Sequence, residues 1–438
     1  MAIKKSGPLF FKPAKKPQAQ RAESRELVLQ IDRLSSEGRG MAFIDRGKAE
    51  QKPVFVAAAL PGEVVRARSV EEKREYAVAE LLEVVTPSPL RQVPRCPLFD
   101  NCGGCQLQML DYAQQVAHKQ QTLRHLLTPF APHWDEPLLA EPWQYRHRAR
   151  LSVCADAHGR PQLGFKSANS HRIVAVDHCD IIDRRLLPLV EQIPQWLARL
   201  NKWQRIQEIV VVVDAADQLA FAYRAESAFP AADRALLQQL ALAAGVLLAD
   251  KNALLDYALP SQNLHLSFHA RDFTQVNPAV NDLLVTRALE WLHLASDDKV
   301  ADFFCGLGNF SLPIARHSKQ VTGFELDGDM VLRAGQNAQA ASIDNATFAT
   351  ADLFAADALA LKDFNKALLD PPRAGAKLLC QQLAKSKLKT LLYVSCNPHT
   401  LVRDLDTLVA GGFRVQRAAL VDMFPQTGHI ETLVLCTR

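Results

Sequence analysis

Nowhere does this 438-residue chain hold the roughly 18 consecutive apolar residues that cross a bilayer. The short run Leu9-Phe10-Phe11 is too brief for a secretory signal. A soluble, cytoplasmic protein with no membrane partner is expected. Acid is missing from the first 22 residues, which instead carry Lys4, Lys5, Lys12, Lys15, Lys16 and Arg21. Such a tail is expected to be disordered, and it either touches a polyanion or only solubilises. The nine cysteines are odd in number and spread along the chain. That is unlike a disulfide framework and points to ligands, nucleophiles or core thiols in a reducing compartment. There is no internal repeat and no low-complexity block. Hydrophobic residues make up 48% of the chain and the net charge is only +4. The length suits about two to four domains.

Residues 1–25 form the basic tail. Residues 26–86 alternate apolar and polar positions in four or five short runs, broken by Gly38, Gly40 and the turn Leu60-Pro61-Gly62-Glu63. That pattern predicts a small antiparallel β-barrel. Thr86-Pro87-Ser88-Pro89 reads as a linker. Residues 87–270 are mixed α+β, with a helix over 111–127 and strands at 149–154, 209–213 and 219–223. Residues 271–438 alternate buried strands (299–304, 320–325, 366–370, 390–395) with helices, and Asn277-Pro278 opens one of the helices. This implies a multidomain protein whose last domain is a doubly wound, Rossmann-like α/β sheet. Ligands of such sheets bind at the carboxyl ends of the strands.

The run Asp302-Phe303-Phe304-Cys305-Gly306-Leu307-Gly308-Asn309-Phe310 follows the first of those strands. Its glycines let a ligand approach the backbone. Ser311 stands where a dinucleotide fingerprint wants a third small glycine or alanine. S-adenosylmethionine has no pyrophosphate and does not need that turn. Glu325, about 20 residues on, is placed to hold two ribose hydroxyls. Asp352 follows another strand end and can accept a bond from an adenine amine. A purely structural loop is the alternative.

In Ser395-Cys396-Asn397-Pro398, Asn397 is a helix N-cap and Pro398 a first helical residue, with the helix stopping at Gly411-Gly412. Cys396 therefore lies between a strand end and a helix N-terminus, where the helix dipole is expected to lower a thiol pKa. Cys154, Cys305, Cys380 and Cys436 read as core thiols. His429 and Glu431, in the run from Asp422 to Thr432, are both candidate proton acceptors. A strand over 430–435 puts them on one face. Asp370-Pro371-Pro372-Arg373 is a stiff loop at another strand end. Amino-group methyltransferases often place an aromatic residue after such prolines, and Arg373 stands there instead.

Upstream, Cys96, Cys102 and Cys105 form a tight triplet around Gly103-Gly104, with Cys179 as the fourth thiol. Four thiolates suit a [4Fe–4S] cluster or a structural zinc, and spacing does not separate them. Zinc sites more often show two paired knuckles, and one close pair is visible here. The first gap of five differs from the radical S-adenosylmethionine pattern. Arg146, Arg148 and Arg150, beside Trp143 and Tyr145, read as a phosphate track on one strand face or as a solvated face.

Together, residues 303–310, 370–375, 395–398 and 428–431 resemble the uracil-5 RNA methyltransferase family, and the likeness runs over nearly the whole chain from residue 26. Within that family the chain is most similar to the bacterial branch that methylates a uridine of large-subunit (23S) ribosomal RNA and carries an iron–sulfur cluster. The resemblance implies Cys396 as nucleophile and Glu431 as base. It implies Gln275, Phe304, Asn309, Glu325, Asp352 and Asp370 as S-adenosylmethionine contacts, and Cys96, Cys102, Cys105 and Cys179 as [4Fe–4S] ligands. The first strands resemble an OB-like TRAM RNA-binding barrel, so the expected domains are 26–86 (TRAM), 87–270 (iron–sulfur) and 271–438 (class I methyltransferase). A monomer acting on a single-stranded or flipped-out uridine is expected. The rival readings are a transfer-RNA uracil methyltransferase, a cytosine-5 enzyme, and a noncatalytic iron–sulfur RNA-binding protein. A transfer-RNA enzyme of this family lacks both the barrel and the cysteines, which argues against that reading. Cytosine-5 enzymes carry Pro-Cys where this chain has Ser395-Cys396.

Overall fold

The computed structural model describes residues 25–44, 51–168, 170, 172–226, 229–249, 253–355 and 359–438. The basic tail expected at 1–25 lies outside them, save residue 25. Two compact units are present, one holding residues up to 33 and 40–88, the other 34–39 and 89–438. Among the described residues no helix is long and apolar enough to cross a membrane.

The first unit contains β1 (Glu26–Gln30), β2 (Arg33–Leu34), β3 (Gly40–Ile44), β4 (Lys52–Val56), β5 (Val64–Glu72) and β6 (Ala77–Thr86). They form one sheet in the order β1-β5-β6-β4-β3-β2. The β4–β6 pairing is parallel, so the expectation of a wholly antiparallel arrangement is corrected. Leu29, Ile31, Val54, Val56, Val65 and Ala67 fill its core. The Leu60–Glu63 turn works as its residues dictate. Gly62 has φ +85°, which Pro-Gly supplies in a type II turn. Buried Glu63 then accepts from the Leu60 and Ser88 amides at 2.8 and 3.2 Å.

The second unit begins with α1 (Tyr112–Leu127), capped by the Asp111 carboxylate on the Gln114 amide, and β7 (His133–Trp134). Then come β8 (Arg148–Ala155), β9 (Pro161–Lys166), β10 (Ile173–Ala175), α2 (Leu187–Leu197), β11 (Ile206–Val213), β12 (Leu219–Ala225), α3 (Ala231–Ala243) and β13 (Leu247–Leu248). These strands make a sheet ordered β10-β9-β8-β11-β12-β13, on which α2 and α3 bury Leu189, Val190, Ile193 and Leu237. The hairpin β14 (Leu255–Leu259) and β15 (Leu264–Phe268) follows. The remaining elements are α4 (Pro278–Leu292), β16 (Lys299–Phe303), α5 (Ser311–Ala315), β17 (Gln320–Glu325), α6 (Gly328–Ala340), β18 (Ala346–Thr350), β19 (Lys366–Leu369), α7 (Lys377–Lys385), β20 (Thr390–Ser395), α8 (Pro398–Ala410), β21 (Arg414–Val421) and β22 (Glu431–Thr437).

Their sheet is ordered β18-β17-β16-β19-β20-β22-β21-β7. The five strands from β18 to β20 are parallel, and β22 runs antiparallel to both β20 and β21. Period-two alternation divides each strand between two cores. Val300, Leu368, Leu392 and Val394 face the side that holds α4 and α6. Ala301, Leu369, Leu391 and Tyr393 face the side that holds α7 and α8. Helices therefore cover both faces, as a parallel sheet requires. Residues 89–270 and 271–438 share one compact unit, because β7 extends this sheet beside β21.

Candidate active site

The carboxyl ends of β16, β17, β18, β19 and β20 lead into Phe304, Glu325, Asp352, Asp370 and Cys396. Since β22 is reversed, its first residue, Glu431, lies at the same edge. Ser395 pairs with Thr432 and Val421 with Glu431. Strand order thus brings to one edge the proposed nucleophile, the proposed base and four of the six proposed cofactor residues, with Asn309 in the loop that follows β16.

The loop after β16 is tightly held. Phe304 has φ +65°, a left-handed conformation uncommon for an aromatic residue. It persists because its amide donates to the Phe324 carbonyl at 2.9 Å. Glu325 accepts the Gly306 amide on one oxygen at 3.2 Å, and the Leu326 and Asp327 amides on the other at 2.7 and 3.1 Å. The carboxylate is oriented by three backbone donors and keeps lone pairs for further donors. Asn309 exchanges a reciprocal amide pair with Asn281 on α4, at 2.8 and 3.0 Å. Phe354 packs on Phe304 with ring centroids 5.6 Å apart, and its amide donates to Asp352 at 2.9 Å. Gln275 lies in the segment that leads into α4. It lines a cavity of about 300 Å³ together with His147, Arg148, Tyr257, Phe268 and Pro278, and the other five proposed cofactor residues are not among its walls.

Asn397 caps α8 through the His399 amide, as expected, and its side chain also donates to the Arg373 carbonyl at 3.0 Å. The Asp370–Arg373 loop thereby braces the turn that carries Cys396. Gly375 closes that loop with φ +71°, where a Cβ would lie 2.5 Å from Asp404 Oδ2. Only glycine satisfies both demands.

The electrostatics reverse one expectation. Burial, then the carboxylates of Glu431 and Asp370, push the Cys396 thiol up to about 11. The nearby Arg373 guanidinium opposes this and is outweighed. The helix dipole acts with only about half a unit charge, too little against desolvation and two acids. Those acids are themselves perturbed. Burial, then Asp370 and Asp422, raise Glu431 to about 8. Burial, then Asp302, raise Asp370 to about 7. Glu431 is 4% exposed, and its Oε2 is buried without a hydrogen-bond partner. In the resting site the thiol holds its proton.

His429 precedes β22 and takes no part in its alternation, so the expected shared face does not form. Arg373 Nη2 lies 2.9 and 3.0 Å from its two ring nitrogens. Partial burial, then Arg373, Lys119 and Arg146, push its pKa down to about 4. A base is most effective with a pKa near the working pH, which favours Glu431.

The four upstream thiols sense one another. Burial raises Cys105 to about 12, with smaller contributions from Cys179, Cys102 and Cys96. Among the described residues, however, no group of three or more His, Cys, Asp or Glu side chains is disposed to hold a metal ion as it stands. Gly103 presses against β9, its amide donating to the Lys166 carbonyl at 2.9 Å.

Arg148 and Arg150 do share a face of β8, but they are not one solvated track. Arg148 turns inward and donates to the Ala270 carbonyl at 3.1 Å. Arg150 is exposed and lies 3.6 Å from Glu208.

Several residues at the site were not singled out from the sequence: Tyr112, Gln115 and Lys119 on α1, and Gln106 and Gln426 in loops. The one signal available was the spacing of the first three, which places polar side chains on a single helical face.

The family described as tRNA (Uracil-5-)-methyltransferase matches residues 243–438. The 23S rRNA (uracil(1939)-C(5))-methyltransferase RlmD of Vibrio parahaemolyticus is 37% identical, with 97% of this chain and 98% of that protein covered. The protein of the same name from Pseudomonas putida is 37% identical, with 99% of each covered. Among solved structures, the Pyrococcus abyssi tRNA (uracil-54, C5)-methyltransferase in complex with S-adenosyl-L-homocysteine superposes with a TM-score of 0.71 at 21% identity. That match covers 94% of this chain and 100% of the other, and it shows a shared fold.

One consequence of the perturbed thiol needs no substrate to test. Alkylation of Cys396, followed by peptide mass spectrometry, is expected to accelerate with rising pH without levelling off at neutrality. At alkaline pH, where Glu431 is ionised, Glu431→Gln removes a neighbouring negative charge, lowers the thiol pKa and speeds alkylation roughly tenfold, the effect of about one pKa unit. An unchanged rate would show that the carboxylate does not act on the thiol.

Proposed function

The chain belongs to the uracil-5 RNA methyltransferase family, and from that premise we propose that it transfers a methyl group from S-adenosylmethionine to carbon 5 of a uridine in 23S ribosomal RNA. The observation that carries this reading is the placement of Cys396 just after β20 and of Glu431 at the start of the adjacent β22, where Ser395 pairs with Thr432, in a chain 37% identical to curated 23S enzymes over nearly its full length.

Carbon 5 of uracil is too poor a nucleophile to take a methyl group unaided. Cys396 gives its thiol proton to solvent water as Sγ adds to carbon 6, and the former double-bond electrons spread over carbon 5 and the carbonyl oxygen. Passing the charge into the ring relieves what makes a free thiolate unfavourable here, namely its confinement between two acids. S-adenosylmethionine, when bound, supplies the sulfonium methyl that carbon 5 attacks. Glu431 then takes the carbon-5 proton, the double bond re-forms, and the Cys396 thiolate is expelled, so the nucleophile is regenerated. Covalent addition divides one difficult substitution into accessible steps.

Glu325 would hold the ribose hydroxyls on its backbone-oriented carboxylate. Phe304, Asn309, Asp352 and Asp370 would complete the cofactor pocket, with Gln275 reaching it from the strand-to-helix segment before α4. Residues 26–86 would act as a TRAM-like RNA-binding module and residues 87–270 as the iron–sulfur module. Cys96, Cys102, Cys105 and Cys179 suit a [4Fe–4S] cluster by donor chemistry. The cluster would supply a cross-link between the 96–105 loop and the Cys179 loop, and it takes part in no step. The target uridine must leave its stack to meet a thiol at a strand end.

Ribosomal RNA carrying tritium at uracil carbon 5 tests the chemistry. Wild-type protein with S-adenosylmethionine is expected to release tritium to water and Cys396→Ala to release none, a loss of more than about 10³-fold. Release from transfer RNA alone would move the substrate to that class. Because the base must be ionised, proton removal should rise with pH and level off above about 8, and His429→Asn should leave that limb in place.

Chelation of the cluster is expected to lower the melting temperature of the protein by several degrees, an unchanged transition arguing against a structural role. Arg150→Ala should reduce the salt dependence of RNA binding by about one unit of log–log slope, whereas a slope equal to wild type would remove Arg150 from the phosphate contacts.

A further inference from the structure

Helix α1 presents a polar stripe to the interior. Tyr112, Gln115 and Lys119 are three and four residues apart and share one face. Gln115 and Lys119 are buried, an unfavourable place for an amide and an ammonium unless each is satisfied. All three reach the same connection, residues 422–430, which leads into Glu431. Lys119 Nζ donates to Asp422 Oδ1 at 2.6 Å and to the Phe424 carbonyl at 3.1 Å. The Tyr112 hydroxyl donates to Asp422 Oδ2 at 2.9 Å. Gln115 donates to Gln426 Oε1 at 2.9 Å and accepts from the Gln426 amide at 3.1 Å. Lys119 and Asp422 both have 0% side-chain exposure. Val421, the residue before Asp422, is the direct strand partner of Glu431.

A buried ion pair is weak evidence for stability, because well-packed apolar residues in its place often do as well or better. Its siting beside the proposed base argues for another role. We propose that Lys119 and Asp422 are positioning residues for Glu431: the pair pins the 422–430 loop to α1 and keeps a negative charge beside the base. This rests on the reading of Glu431 as the base.

The groups around Glu431 are Asp370 from the end of β19, Cys396 from the end of β20, Asp422 from the end of β21, His429 with its partner Arg373, and Lys119 with Tyr112 from α1. Asp370 and Asp422 are the neighbours whose charges strengthen its hold on a proton. Lys119 Nζ, 2.6 Å from Asp422 Oδ1, holds that carboxylate in place at the end of β21.

The test compares the full-length wild-type holoprotein with Asp422→Asn, which keeps the shape and hydrogen-bonding capacity but loses the charge. Single-turnover tritium release from carbon 5 is followed against pH, together with the fraction of RNA trapped as a covalent adduct. Loss of a neighbouring anion makes Glu431 easier to ionise, so the acidic limb is expected to move down by about one pH unit. If Lys119 stays protonated the shift has the same sign. The plateau rate should fall and the adduct accumulate, because a weaker base removes the proton more slowly. A wild-type limb and adduct fraction, in protein that still binds S-adenosylmethionine in calorimetry, would overturn the proposal. Should Asp422→Asn not fold, the double variant Lys119→Met/Asp422→Leu removes both charges at similar volume. Its limb moves less, since a cation and an anion leave together, but the plateau rate is expected to fall and the adduct to accumulate as the loop is released, and a wild-type plateau and adduct fraction would again overturn the idea. If wild type releases no tritium, or if Glu431→Gln still releases it, the assignment of the base fails first. If both controls behave and the limb does not move, the positioning role alone fails.

Discussion

The site depends on the direction of one strand. β22 runs antiparallel between β20 and β21, so it begins where its neighbours end. Its seven residues span roughly 23 Å at about 3.3 Å each. Had β22 run parallel, Glu431 would lie at the far edge of the sheet, out of reach of Cys396. The reversal places a residue distant in sequence from the cofactor loop beside a strand end. It also brings the Asp422 end of β21 to the same place.

That convergence sets the electrostatics. Asp302, Asp370, Glu431 and Cys396 are gathered where water is scarce, and each makes ionisation of the next harder. The result is a set of groups that hold protons near neutrality rather than a preformed thiolate. Cations lie close by but are committed elsewhere, Lys119 to Asp422 and Arg373 to His429. Perturbed groups clustered at strand ends are what catalysis requires, and they are an arrangement that stability alone would not select.

The middle of the chain takes part in building this edge. The Gln106 and Leu107 amides donate to the Gln426 carbonyl at 3.0 and 3.1 Å, immediately after Cys105. Gln115 Nε2 ties the Leu107 and Leu110 carbonyls to Gln426. The loop that carries the cysteines and the loop that leads to Glu431 are therefore held by shared hydrogen bonds. Order in one bears on the geometry of the other.

Local chemistry made much of this legible from residues alone. The caps at Asn277 and Asn397, the buried strands at 320–325 and 390–395, and the turn at Gly62 follow from backbone preferences acting within a few residues, and the structure forms them there. Helix 111–127 is equally legible, yet nothing local marks Tyr112, Gln115 and Lys119 as a buried polar stripe, because the partners that satisfy it lie some 300 residues away in sequence. The thiol pKa was expected to fall because only the adjacent helix end was visible. Burial and two carboxylates from other strands outweigh it. The parallel β4–β6 pairing and the inward turn of Arg148 are likewise long-range outcomes. Sequence by itself determined which segments become strands and helices and which residue types stand at their ends, since hydrophobic period, capping and turn geometry are local. Only the tertiary structure decided which of those ends meet and how strongly each acid holds its proton, because Coulomb interactions and desolvation depend on distances and burial that exist only once the chain has closed on itself.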